Sequence, residues 1–209
     1  YLDLYIMHWP DRFTPLDTAL AAMEKTVQQG KVRYIGASNH NAAQLCELLW
    51  LAGQTGASRV VASQIPFSLL RREFQHDLEF CERHSIGVTP YQPLQGGLLT
   101  GKYSRGQQPP EASRAARKPD WLWDMDDTLF DRLEAVDALA AELNVPTAQY
   151  ALAWGLRQKA MTSMIVGATR IDQVEDAVDS ASVAIPDGHL AQLDAVCPPP
   201  WTQPDPIRG

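Results

Sequence analysis

Five short stretches of the chain run apolar or alternate apolar with polar positions, and each ends at its C-terminal side in residues able to hydrogen-bond: Leu2 to His8, Tyr34 to Asn39, Val60 to Gln64, Val88 to Tyr91 and Ser163 to Gly167. Between them the apolar period changes from that of a strand to that of a helix. Leu16, Leu20, Met23 and Val27 recur at helical spacing. Thr14 is read as the N-cap of this helix, with Pro15 at its first position and Asp17 in its first turn, and Gly30 ends it in a left-handed conformation. Leu45, Leu48 and Leu49 mark a helix over 42–51, and Phe74, Leu78 and Cys81 mark one that closes near Gly87. After Tyr91 the alternation breaks. Residues 103–127 hold Pro109, Pro110, Pro119, Trp121 and Trp123 without periodicity, which predicts a long loop of the lid or binding kind. Helices are predicted again on Leu129, Leu133, Val136 and Leu139, over 148–157, over 171–181 and near Leu190, ahead of a Pro-rich tail at 197–209. Trp50 and Trp154, at helical spacing, are read as packing residues.

Repeated β-then-α with polar residues at one strand end predicts an α/β fold of the (β/α)8 TIM-barrel type, whose sites gather at the C-terminal strand ends. A closed barrel has eight strands and about 250 residues. Here there are five such segments in 209 residues, and Tyr1 already lies in a strand-like one. The expectation is a partial barrel, strands 4–8 with their helices and without the first three βα units, forming one domain over 1–209. Residues 2–8 and 162–166 are then open apolar edges, which invite pairing with other chains.

Composition narrows the function. A net charge of −7, from 18 basic and 25 acidic residues, argues against a nucleic-acid partner. No apolar run is long enough to span a bilayer. Cys46, Cys81 and Cys197 lie far apart and outside any CxxC spacing, which fits a reducing, cytoplasmic compartment without disulfides or zinc. His40, His76, His84 and His189 show no metal spacing, so no metal site is expected.

His8 follows an apolar strand, where an imidazole can polarise a carbonyl or act as acid or base. Taken alone it reads as a His that merely caps a strand end. Its company says more. The runs His8-Trp9-Pro10-Asp11, Gly30-Lys31-Val32-Arg33-Tyr34-Ile35-Gly36-Ala37-Ser38-Asn39, Tyr91-Gln92-Pro93-Leu94, Gly97-Leu98-Leu99-Thr100-Gly101-Lys102-Tyr103 and Ile165-Val166-Gly167-Ala168-Thr169-Arg170 occur in this order. Together they resemble the aldo-keto reductases over nearly the whole chain, from that family's fourth strand to its last helices.

The resemblance implies NADPH-dependent reduction of aldehydes or ketones, with NADP(H) as cofactor and a small carbonyl compound as substrate. His8 would orient the substrate carbonyl. Ser38, Asn39 and Gln64 match the residues that hold the nicotinamide carboxamide, since hydroxyl and amide groups supply donors and acceptors for an amide. Each alone could also be a strand-end group satisfying a loop. Tyr91 matches the aromatic that stacks on the nicotinamide, or is a core tyrosine. Gln92, Pro93, Leu94, Gly96 and Gly97 match the segment against which the pyrophosphate lies, glycines letting backbone come close to phosphate. Gln92 departs from the usual Ser. Lys102 matches a cation that reaches the phosphates, and Arg114 either does the same or is a solvated charge. Gly167, Thr169, Arg170, Gln173 and Asp176 match the site of the adenosine 2′-phosphate at a helix N-terminus. Asp176 replaces the usual Glu there, and Ala177 stands where an adenine-contacting Asn is common. Arg170 would select NADP, unless it pairs with Asp172. Trp9, Trp121 and Trp123 are candidates for the substrate pocket.

The family's catalytic Asp, Tyr and Lys have no match in these 209 residues, so the chain alone is expected to be inactive. The branch it resembles also contains potassium-channel β subunits, which leaves a cofactor-binding regulatory subunit as the alternative. In those subunits Asn stands where this chain has His8. A metal-dependent hydrolase on a similar barrel needs several strand-end ligands, and only His8 qualifies.

Overall fold

In the computed structural model, Leu2, Leu4 and Ile6 alternate with Asp3 and Tyr5 along β1 (Leu2–Met7). The structure describes residues 1–111, 113–118 and 124–200. β2 (Val32–Ser38), β3 (Val60–Gln64) and β4 (Gly87–Val88) complete a four-stranded sheet in the order β1-β2-β3-β4. Every pair is parallel, with Leu4 opposite Tyr34, Ala37 opposite Ser63 and Ser63 opposite Val88. Parallel neighbours need long crossovers. These are supplied by α1 (Leu16–Gln28), α2 (Ala42–Thr55) and α3 (Gln75–Arg83). The alternation of strand and helix is therefore as expected from the sequence, and the chain has an α/β fold with a parallel sheet.

Two compact units share the chain. The first consists of Tyr1–Pro66, Phe74–Tyr91 and Gln158–Ser163, and contains the sheet. Its core joins Leu20 and Met23 of α1, Leu45, Leu48 and Ala52 of α2, and Leu78 and Cys81 of α3 to Ile35, Val60 and Val88 of the strands. Gly36 lets β2 lie close to its neighbours: a Cβ there would stand 3.1 Å from the Ala62 carbonyl oxygen and 3.3 Å from Ile6 Cγ1. Local signals fix the helix ends. Asn41 and Gln44 form a reciprocal capping box at the start of α2. Gly30, at φ +69°, ends α1 with Gly30 N–H donating to Val27 O and Lys31 N–H to Thr26 O.

The second unit comprises Phe67–Glu73, Gln92–Arg157 and the chain from Met164 onward. It is helical: α4 (Arg114–Arg117), α5 (Asp127–Glu142), α6 (Thr147–Leu156), α7 (Ile171–Asp179) and α8 (Asp187–Val196). Leu129, Leu133, Val136 and Leu139 of α5 are buried, as their spacing predicts. Trp154 of α6 is buried and stacks on Phe67, with ring centroids 5.4 Å apart. The guanidinium of buried Arg72 lies over the Trp154 ring and pairs with Asp194 at 2.7 Å. Arg72 also donates to the carbonyl of Cys197 at the end of α8. His189 joins three helices, its Nδ1 3.1 Å from the Tyr150 hydroxyl and its Nε2 3.2 Å from Glu142.

Several expectations are corrected. Residues 163–167 do not form a strand. The parallel contact with β4 is made just before them, where Val88 donates to Ala160 O and Thr162 donates to Val88 O. β4 itself is shorter than the stretch to Tyr91, which contributes only an isolated bridge to Pro66. Pro15 rather than Thr14 occupies the cap of α1, because the Thr14 hydroxyl is drawn to Asp11 Oδ2 at 2.5 Å. Ser85 at φ +52°, not Gly87, turns the chain out of α3. Gly87 instead faces Thr162, whose Oγ1 lies 2.6 Å from where a Cβ would stand. Trp50 is exposed, not packed, because α2 buries the face carrying Leu45, Leu48 and Ala52. Trp121 and Trp123 lie outside the described residues.

The thiols follow burial. Cys46 is exposed, while desolvation pushes Cys81 up to about 12 and Cys197 to about 11. Only thiolates react readily. Brief iodoacetamide treatment of the native protein at pH 8 should therefore label Cys46 alone, with Cys81 and Cys197 reacting after denaturation. Peptide mass mapping reads the result, and equal labelling of all three would contradict this packing.

Candidate functional site

Strand ends of the sheet gather the first group of predicted residues. Ser38 closes β2, Gln64 closes β3, and His8 follows the last residue of β1. Asn39 is buried and adopts φ +61°, a conformation that Asn tolerates better than most residues. Its amide is used on three sides. Nδ2 donates to His8 O at 2.9 Å and to Ser38 Oγ at 3.0 Å, and Oδ1 accepts from the Tyr91 hydroxyl at 2.8 Å. Ser38 Oγ in turn donates to Gln64 O at 2.8 Å, and the same carbonyl accepts Asn39 N–H at 2.9 Å. His8, Ser38, Asn39, Gln64 and Tyr91 are thus one connected cluster.

Two members of the cluster keep unused side-chain capacity. Neither the Gln64 carboxamide nor the His8 imidazole makes a side-chain hydrogen bond among the described residues, and His8 is exposed beside the exposed Trp9, ring centroids 6.0 Å apart. A free carboxamide can both donate to and accept from a second amide. The neighbouring His40 is spent structurally. Its Nδ1 meets Ser38 O at 2.8 Å, and burial holds its pKa below the usual imidazole value, so it stays neutral.

In the second unit, the segment after Tyr91 turns repeatedly through positive φ: Gln92 at +58°, Gln95 at +45°, Gly96 at +66°, Gly97 at +99° and Gly101 at +71°. Pro93 and Leu94 lie inside this run, and Leu94 O accepts from Gly97 N–H at 2.9 Å. A Cβ at Gly97 would lie 2.6 Å from Lys102 Nζ, so the ammonium rests against bare backbone, 5.2 Å from the Tyr103 ring centroid. Backbone stripped of side chains beside a cation suits an anionic oxygen. Buried Gln95, whose Oε1 accepts from Ser68 Oγ at 3.3 Å, was not singled out in the sequence, where nothing distinguishes it from a solvated Gln.

The start of α7 holds the remaining candidates. Gly167 precedes it in an exposed stretch. Gln173 Oε1 accepts from Thr169 N–H at 2.8 Å and lies 3.3 Å from the Thr169 hydroxyl, closing the entry turn. Asp176 accepts from buried Gln149 at 3.0 Å, a contact spanning 27 residues that no local pattern announces. Arg170 is paired with Asp172. Among the described residues, no cluster of metal-ligating side chains is found and no helix is long and apolar enough to cross a membrane.

Comparison with known proteins adds the missing context. The model of the Aldo/keto reductase family matches residues 1–197. Protein tas of Escherichia coli K12 is 33% identical, the match covering 94% of this chain and 62% of the relative. The NADH-specific methylglyoxal reductase of the same organism is 32% identical, covering 92% and 58%. A probable voltage-gated potassium channel subunit beta of Arabidopsis thaliana is 29% identical, covering 88% and 57%. The chain thus spans between 57% and 62% of the length of these relatives.

Proposed function

Because this chain belongs to the aldo/keto reductase family, we propose that it forms the coenzyme-binding part, with one substrate-orienting group, of an NADP(H)-dependent carbonyl reductase. That reading includes a partial (β/α)8 barrel, which the four-stranded parallel sheet and the span of 57% to 62% of the relatives' length support. The observation that carries the proposal is the cluster at the strand ends, in which every side chain but two is hydrogen-bonded within the protein and the two left open to solvent are a carboxamide and an imidazole.

When bound, the nicotinamide coenzyme supplies the hydride. The chain's own residues do the positioning. Gln64 would exchange hydrogen bonds with the nicotinamide carboxamide, and Asn39 and Ser38 would hold that side of the site rigid. Tyr91, its hydroxyl fixed by Asn39, would offer its ring for stacking on the nicotinamide. Gly96, Gly97 and Lys102 would hold the phosphates, and Thr169, Arg170, Gln173 and Asp176 would hold the adenosine. His8 donates a hydrogen bond to the substrate carbonyl. Trp9, exposed beside it, forms a wall of the substrate pocket. Proton delivery falls to the family's Tyr, assisted by its Lys and Asp, none of which has a match in these 209 residues. The regulatory reading rests on the likeness to the channel subunit and predicts binding without turnover.

The test is titration of the native polypeptide at its full length with NADPH, followed by protein fluorescence and by reduction of a simple aldehyde. Gln64→Ala should weaken coenzyme binding about tenfold, the loss of one or two amide hydrogen bonds. His8→Ala should leave binding unchanged and lower turnover about a hundredfold. The 209-residue chain alone should turn over nothing. Unaltered affinity in Gln64→Ala would remove the nicotinamide assignment, and binding without turnover at full length would favour the regulatory role.

A further inference from the structure

α2 has the composition of an interior helix, yet one side of it faces solvent. It carries one charged residue, Glu47, in fourteen, against three in thirteen for α1 and six in sixteen for α5. α6, with none in ten, is buried over Gln149–Gly155, whereas α2 exposes Ala43, Cys46, Glu47, Trp50, Gly53 and Gln54 along one side. A helix so poor in charge is expected to be covered. Trp50 stands at the middle of that side, 62% exposed, and buried tryptophans are the commonest anchors of protein contacts. Gly53 is a second, independent sign. Glycine is the poorest helix former after proline, its φ here is not positive, and a Cβ would meet nothing within 4 Å. No neighbour within the chain requires a glycine there, whereas a group arriving from outside would. At about 100° per residue, Glu47 lies about 60° to one side of Trp50, and Gly53 and Leu49 about 60° and 100° to the other. On that second side a hollow of about 420 Å³ is lined by Leu49, Ala52, Gly53, Ala57, Arg59 and His84. The exposed Arg59 donates to the His84 carbonyl, and among the described residues neither Arg59 nor Glu47 is in an ion pair.

We propose that this side of α2 is the contact surface for a second copy of the protein, in a two-fold dimer where Trp50 of each copy enters the hollow beside Gly53 of the other. Charge selects a copy over another partner. The surface offers one unpaired anion and one unpaired cation on opposite flanks of the same tryptophan, as self-complementarity requires. A two-fold axis parallel to α2 brings the Glu47 flank of one copy to the Arg59 flank of the other, at the same level along the helix. The small residues Ala43, Cys46 and Gly53 let the two helices come close. All of these residues belong to the first unit, and the interface is independent of the coenzyme reading.

The experiment is sedimentation equilibrium of the native polypeptide at its full length, for wild type, Trp50→Lys, Gly53→Leu, Glu47→Arg, Arg59→Glu and Glu47→Arg/Arg59→Glu. Circular dichroism shows that each variant is folded. Wild type should dimerise with a dissociation constant on the order of 10 µM, as suits a small contact. Trp50→Lys should weaken the dimer at least about a hundredfold, and Gly53→Leu, which fills the hollow from open space, at least about tenfold. Each charge reversal should weaken it about tenfold, and the double reversal should return it to within about threefold of wild type. Wild type that stays monomeric at about 200 µM overturns this dimer. So does association indifferent to both Trp50→Lys and Gly53→Leu, or association that the double reversal fails to rescue.

Discussion

Replacing Asn39 by alanine is expected to weaken nicotinamide coenzyme binding about a hundredfold and to destabilise the fold by about 3 kcal/mol. Three side-chain hydrogen bonds vanish at once, to His8 O, to Ser38 Oγ and from the Tyr91 hydroxyl. Each is worth about 1 kcal/mol net, and groups left unpaired inside the protein cost more. The backbone adds its own share, because alanine at φ +61° is strained by about 1 kcal/mol where asparagine is tolerated. Asn39→Gly separates the two contributions: it relieves the backbone but restores no hydrogen bond. Stability should partly recover in Asn39→Gly, while affinity stays low because Tyr91 has lost its anchor. Urea unfolding and coenzyme titration on the same samples decide this. Wild-type affinity in Asn39→Gly would mean that the side chain is a backbone accommodation only.

The second large effect belongs to Arg72. Arg72→Met should cost about 2–4 kcal/mol in denaturant unfolding. Its guanidinium is only 4% exposed, and methionine would fill most of the volume while leaving the Cys197 carbonyl without its donor. Asp194 is half exposed and can return to water, which keeps the loss below that of a fully buried pair. Asp194→Asn should also be destabilising despite its smaller chemical change, since it removes the carboxylate charge 2.7 Å from a buried guanidinium. The double variant should be less than additive. The loss should also persist at about 1 M salt, because a buried pair is weakly screened. A cost below about 0.5 kcal/mol for both single variants would place this contact among ordinary surface pairs.

The elements legible in the sequence were those whose determinants are local. Alternation and turn residues sufficed for β1, β2 and β3, and spacing of Leu129, Leu133, Val136 and Leu139 sufficed for α5. Residues 163–167 have strand composition but no strand, because pairing is decided by the partner and Val88 takes its bonds from 160 and 162. Trp50 misled because α2 has apolar residues on more than one side, so periodicity alone did not fix the buried face. At the site, the residue types at Ser38, Asn39, Gln64 and Tyr91 were readable, yet their connection was not. Tyr91 and Asn39 are 52 positions apart, and nothing along the chain records that the hydroxyl of one closes the amide of the other. For Arg170 the rival pairing with Asp172 was visible as a possibility two residues away, and side-chain geometry selected it.

The division of the chain also bears on how it is made. Each unit draws on three separate stretches, and the first recruits Gln158–Ser163 only after the intervening stretch from Gln92 to Arg157, which belongs to the second. The backbone bonds between Val88 and residues 160 and 162 cannot form until that late segment exists. On a ribosome working at about 5–20 residues per second, the outer edge of β4 therefore waits several seconds without those partners. During that interval the edge of β4 is open to other chains, so shielding it while the chain is still growing would favour the folded protein.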